Sequence, residues 1–305
     1  MPSFIMNKAR LKENLEGYLF ISPWILGFLI FTLGPMIASL VLSFTDWNLL
    51  NIPSYNGLYN YLEMFKNDPK YIQSLKVTFI YSFASVPLGL ISSLLTAILL
   101  NQKVKGVALF RTIFYLPSMI SGVANALLWR WLYNPEWGLI NWLLGLFGIQ
   151  GPLWLFSKVW SLPALILMNI WGLGPTMVIF LAGLKAIPIQ FYEAAEIDGA
   201  TNMQRLRYIT LPMLSPVIFF NLIMGIISSF QAFTTAYVMT DGGPSDSTLL
   251  YVLYLYRNAF LMFKMGYASA QAWTLFILIV LFSLLVIKSS PMWVYYEGET
   301  KRGGK

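Results

Sequence analysis

Long stretches of this chain carry no charged residue, and that feature restricts the fold more than any other. Between consecutive charged positions lie six apolar windows, residues 17–45, 77–102, 112–129, 159–184, 208–240 and 265–287. A bilayer core about 30 Å thick is crossed by a helix of ~20 apolar residues. Inside hydrocarbon every backbone N–H and C=O has to be paired within the protein, which favours helices. Each window is therefore predicted to be a transmembrane helix. A seventh window, 137–157, is interrupted by Gly145, Gly148 and Gly151-Pro152, so its apolar core runs only from 139 to 148. That length suits an interfacial or a re-entrant helix. Six crossings are expected, with a seventh left open, and the class is all-α integral membrane.

Composition excludes the soluble alternatives. Only 11% of residues are charged and 57% are hydrophobic, against roughly a quarter charged in an ordinary soluble domain. The absence of Cys and His removes disulfides, thiolate nucleophiles, imidazole bases and histidine metal sites. No run of Asp and Glu suggests a carboxylate cation site. No catalytic residue and no metal ligand is assigned, and an enzyme is not expected.

The basic residues give orientation. With six crossings, thirteen of the twenty Lys and Arg fall on one side, among them Lys8, Arg10, Lys12, Lys103, Lys185, Arg205, Lys301 and Lys305. The cytoplasmic side collects such residues, so both termini are expected there. The first window is too long for a cleavable signal and lacks a small-residue cleavage site, so it stays as a span. The basic residues flank apolar runs without forming a patch, which argues against nucleic acid. Trp129, Trp131, Trp137, Trp142, Trp154 and Trp160 cluster near the outer ends of the third and fourth windows. An aromatic belt at headgroup level accounts for them; stacking of one or two on a sugar is the alternative.

No window holds an ionisable side chain, whereas ion-coupled carriers place such groups at mid-membrane. Energy for uphill transport would then enter from outside the bilayer. Neutral polar or aromatic groups do occur: Asn125 in the third window, Asn169 and Trp171 in the fourth, Asn221, Gln231, Thr234 and Tyr237 in the fifth, and Gln271 in the sixth. Singly, such groups act as interhelical glue worth ~0.6 kcal/mol. Their concentration in the fifth window marks them as candidates for lining a path for an uncharged, hydroxyl-rich solute. Pro175, following Gly172 and Gly174, removes a backbone donor and frees the Trp171 carbonyl. A kink there would turn Asn169 and Trp171 inward, and Pro35 and Pro87 are expected to bend the first two spans.

Residues 188–212 read as two short helices. Pro188 suits a first helical position, 189–198 propagates, and Gly199 closes it in a left-handed conformation. Thr201 and Gln204 then form a capping box, and the second helix hands over at Leu211-Pro212 to the fifth span. An amphipathic helix lying on the inner leaflet is the alternative.

Glu193-Ala194-Ala195, Gly199, Ile209 and Leu211-Pro212 follow the spacing E-A-A-x3-G-x9-I-x-L-P. This resembles the EAA loop of binding-protein-dependent ABC importers. Ile197-Asp198-Gly199-Ala200, Phe114-Tyr115-Leu116-Pro117, Gly242-Gly243-Pro244 and Trp293-Val294-Tyr295-Tyr296-Glu297 resemble its sugar-permease branch. The resemblance implies a permease subunit of a bacterial carbohydrate uptake system with the type I ABC importer fold, in the cytoplasmic membrane. It implies a tail, first helix and outer loop over 1–70, a five-helix core over 71–290 and a cytoplasmic tail over 291–305. Glu193, Ala194, Ala195, Asp198, Gly199, Ile209, Leu211 and Pro212 would couple to a separate ATPase. The partners implied are a second, related permease subunit, two cytosolic ATPase subunits and an extracytoplasmic sugar-binding protein. No cofactor is expected in this chain, and ATP would be bound by partner subunits. Gly303-Gly304-Lys305 lacks the glycine spacing and hydroxyl of a phosphate-binding loop. A polyol or glycerol phosphate cargo and a stand-alone carrier are the alternatives.

Overall fold

A computed structural model describes residues 8–102 and 105–295. Lys103 and the closing residues 296–305, with Tyr296, Glu297 and Gly303-Gly304-Lys305, lie outside the described residues. The chain divides into two compact units.

Of the described residues, the first unit holds 8–66 and 258–274. Helix α1 (Lys8–Phe28) passes through a π-helical turn, Leu29–Leu33, into α2 (Gly34–Leu42). Pro35 explains the turn. Its missing N–H and its ring cannot fit a regular ladder, and the Gly34 N–H bonds to the Leu29 carbonyl across the wider loop. The bend expected at Pro35 is thus absorbed within one continuous apolar helix, Glu13–Leu42. A two-residue ribbon follows, β1 (Thr45–Asp46) antiparallel to β2 (Ser54–Tyr55). Asn60 of α3 (Tyr59–Lys66) donates to the Ser43 and Thr45 carbonyls, both at 2.9 Å. Within the same unit Gly266 N donates to Trp47 O at 3.2 Å, and Trp273 Nε1 to Ser39 Oγ at 3.1 Å.

Of the described residues, the second unit holds those within 67–257 and 275–295. Asp68 caps α4 (Pro69–Leu100) by accepting from Tyr71 N at 3.0 Å, and α4 continues unbroken through Pro87. The third window is two helices, α5 (Val107–Tyr115) and α6 (Gly122–Leu132), joined by a 3₁₀ turn, Leu116–Met119. The run Val107–Met119 and α6 meet at 101°. Pro117 and the new N-cap Ser121, which accepts from Ala124 N at 3.4 Å, account for the restart. The seventh window forms only the short α7 (Leu139–Leu146). The fourth is α8 (Ser161–Trp171) and α9 (Gly174–Ala186), bent by 48° at the anticipated Gly–Pro break.

After α10 (Ile189–Ile197), α11 (Asn202–Arg205) and a π turn, Leu206–Thr210, comes α12 (Leu211–Phe230). The expected single span over 208–240 is not formed: α12 stops at Phe230, and a separate α13 (Thr234–Met239) follows. Then come α14 (Tyr251–Tyr256) and α15 (Met265–Trp293). Among the described residues four helices are thus long and apolar enough to cross a membrane unbroken, or up to six if each bent pair is one span. The break in the fourth window was expected at Gly172, Gly174 and Pro175, whereas that in the third, at 101°, was not. α4, α9 and α12 share a core of Ala97, Leu100, Met177, Phe180, Leu184 and Leu214. Phe79 and Phe83 of α4 interlock with Phe230 and Phe282 at centroid distances of 5.4 to 6.2 Å.

Candidate functional site

The α8–α9 break, the end of α12 and one face of α4 frame a cavity of about 490 Å³. A break leaves backbone groups without ladder partners, and irregular backbone at membrane depth is tolerated where it lines a cavity. Asn169, Gly172 and Thr176 reach the cavity from the α8–α9 break. Asn221, Ser228 and Ser229 come from α12, and Gln231, Phe233 and Thr234 from the turn beyond it. Tyr81, Ser85 and Ser93 complete the wall from α4. None of the lining residues is acidic or basic. Several hydroxyls and amides are steadied by their own helix: Asn221 Nδ2 donates to Val217 O at 2.8 Å, and Ser228 Oγ to Met224 O at 2.7 Å. Their oxygen lone pairs remain as acceptors. The site can therefore exchange hydrogen bonds with a hydroxyl-rich solute, and it offers no group for acid–base chemistry at neutral pH.

Of the residues singled out from sequence, Asn169, Asn221, Gln231 and Thr234 meet at this cavity. The others lie elsewhere. Trp171 packs edge-on against Trp129, with ring centroids 5.7 Å apart, so the break turns Asn169 but not Trp171 to the cavity. Asn125 sits half-buried on α6, one turn before Trp129. Tyr237 stacks on Phe233 at 5.2 Å and meets Tyr256 at 5.5 Å. Gln271 is fully buried in the first unit, where Asn258 Nδ2 donates to its Oε1 at 3.2 Å. Sequence reasoning missed Tyr81, Ser85 and Ser93, because serine in an apolar helix ordinarily bonds its own backbone and passes as neutral filling. Their four-residue spacing was the available signal.

The loop over 188–212 has a defined geometry. Pro188 is the N-cap of α10, one place before the expected first helical position. Gly199 closes α10 at φ +74°, with Ala200 N donating to Ala195 O at 2.8 Å and Gly199 N to Glu196 O at 3.1 Å. This pair of bonds is the Schellman closure, which needs a left-handed residue where Gly199 stands. Thr201 and Gln204 form the reciprocal capping box: Thr201 N donates to Gln204 Oε1 at 2.7 Å and Gln204 N to Thr201 Oγ1 at 3.3 Å. Tyr192 of α10 reaches Thr210 at 3.0 Å between hydroxyls. Ile209 packs partly against the α4–α9–α12 core, and Leu211-Pro212 opens α12. Glu193, Ala194, Asp198 and Gly199 are exposed and Ala195 half-buried. Beside them Ile197, Met203 and Tyr208 stand 87%, 70% and 69% exposed.

The model of the family described as binding-protein-dependent transport system inner membrane component matches residues 85–294. The chain is 52% identical over 300 residues to the probable ABC transporter permease protein YesP of Bacillus subtilis, covering 96% of this chain and 97% of that one. It is 33% identical to the trehalose/maltose transport system permease protein MalF of Thermococcus litoralis, covering 94% and 98%. A chain of a bacterial alginate ABC transporter, solved in complex with an alginate pentasaccharide-bound periplasmic protein, superposes with a TM-score of 0.82. Its identity is 25%, over 92% of this chain and 96% of that one. The all-helical architecture is thus that of a type I ABC transporter permease, and the chain belongs to the family of binding-protein-dependent transport system inner membrane components.

Proposed function

We propose that this chain is a permease subunit of an ATP-driven carbohydrate importer and forms half of its translocation path. The observation that carries the proposal is the uncharged cavity at the α8–α9 break and the end of α12, walled by hydroxyls and amides. Mono- and oligosaccharides present just such hydroxyls, and MalF of Thermococcus litoralis is named for trehalose and maltose. In this reading the chain crosses the inner membrane six times, the two bent pairs counting as one crossing each, with both termini cytoplasmic. Residues 71–290 form the transport core, and Asn169, Asn221, Gln231 and Thr234 contact the solute. A second, related permease subunit supplies the other half of the path. Two ATPase subunits and an extracytoplasmic sugar-binding protein complete the assembly.

The loop over 188–212 suits the role of coupler. Exposed Ile197, Met203 and Tyr208 beside the small Ala194 and Ala195 give an apolar patch for a protein partner. Glu193 and Asp198 stand exposed on the same loop. The apolar helix Asn202–Phe230 is continuous from this loop to the cavity, so a push on the loop tilts the helix carrying Asn221 and Ser228. Closure of the ATPases would thereby switch the cavity between its inward- and outward-facing states.

Gly199→Val tests the coupling. A β-branched residue at φ +74° is strained, while no neighbouring atom crowds the site. Insertion and assembly should survive, and ATP-dependent uptake by the reconstituted transporter should fall at least tenfold. Wild-type uptake in the variant would remove the coupling role.

A further inference from the structure

One wall of the cavity comes from α4, where Tyr81, Ser85, Gly89 and Ser93 recur every fourth residue. That spacing keeps them on one face over about 18 Å of helix. Several hydroxyls on this helix are already occupied. Ser74 donates to Tyr71 O and Thr96 to Ser92 O, each at 2.8 Å, while Ser93 reaches across to Leu173 O at 3.5 Å, over the α8–α9 break. Ser82 and Ser85 are both buried with an Oγ that makes no hydrogen bond, and of the two only Ser85, 2% exposed, lines the cavity. A buried hydroxyl ordinarily finds a partner, and the position of Ser85 at the cavity wall lets that partner arrive through the cavity. One turn on, a Cβ at Gly89 would meet no atom within 4 Å. Gly89 therefore does not serve close helix packing; it leaves the cavity open between Ser85 and Ser93.

We infer that this face of α4 is the wetted wall of the path and that Ser85 Oγ is a hydrogen-bonding position held for a hydroxyl of the passing solute. The inference rests on the cavity being the path. Ser93 then latches the wall to the α8–α9 break, and Gly89 gives a sugar ring room to pass between the two serines.

The chain has no native cysteine, so single Cys variants report directly. In the assembled transporter, Ser85→Cys and Gly89→Cys should be modified on this chain by trimethylammonium-ethyl methanethiosulfonate, at least tenfold faster than Leu88→Cys and Leu95→Cys. The last two stand on exposed apolar positions of the same helix. Asn169→Cys and Thr176→Cys serve as reference for the cavity. If these react and Ser85→Cys does not, the α4 wall is refuted and the path survives; if none react, the path itself falls. Equal labelling of Leu88→Cys and Ser85→Cys would also overturn the wall. A second measurement covers the hydroxyl. Ser85→Ala should leave the thermal midpoint of the purified complex unchanged or raised, whereas a lowered midpoint would mean that Oγ pairs within the protein.

Discussion

Asn141 holds together the segment between α6 and α8. Its Nδ2 donates to Pro135 O at 3.1 Å and to Pro152 O at 3.2 Å, and its Oδ1 accepts from Trp154 Nε1 at 2.6 Å. Trp154 sits at φ +36°, a region that a non-glycine residue occupies only when its surroundings hold it there. Asn141→Leu keeps the volume and strands two carbonyls and an indole N–H, each orphan costing ~1–3 kcal/mol. The expected outcome is about 2 kcal/mol or more of lost stability, read as a lowered unfolding midpoint in detergent with faster proteolysis between 134 and 157. An unchanged midpoint would contradict it. This residue was not legible in the sequence, because its partners are six to thirteen positions away and depend on how the loop returns. Gly148 and Gly151-Pro152, which punctuate the same loop, were read correctly because their chemistry is local.

At the scale of the element, the site is made by helices that stop. The α8–α9 break was legible in Gly172, Gly174 and Pro175, which interrupt a ladder wherever they fall. At Gly174 a Cβ would lie 2.9 Å from Tyr115 Cα and 3.0 Å from Phe114 O. Backbone cannot swing aside as a side-chain tip does, so Gly174→Val should destabilise by ~1–3 kcal/mol. It should also push α9 off the end of α5, seen as a lower thermal midpoint and weaker uptake; a midpoint equal to wild type would refute the close contact. The end of α12 was not legible. No Gly or Pro occurs between 226 and 241, yet the helix stops at Phe230. The neighbours decide it: Thr234 comes to rest against Gly122 at the start of α6, and Phe233 is gripped by Tyr237 and Tyr256 at 5.2 and 5.1 Å. Tertiary packing outweighs local propensity at such places.

For the whole molecule, the proposed function combined with apolar windows free of charge predicts dependence on partners. Reconstituted alone, the chain should neither hydrolyse ATP nor concentrate maltotriose or any other sugar in proteoliposomes. Accumulation in that preparation would mean that it carries its own driving-ion site. What the sequence by itself determined was the membrane class, the approximate windows and the caps of the 188–212 loop. These follow from the cost of bare backbone in hydrocarbon and from bonds between residues a few places apart. Only the tertiary structure decided where α12 ends and which polar side chains share a cavity. Those outcomes depend on atoms far apart in the chain, whose contacts no local spacing encodes.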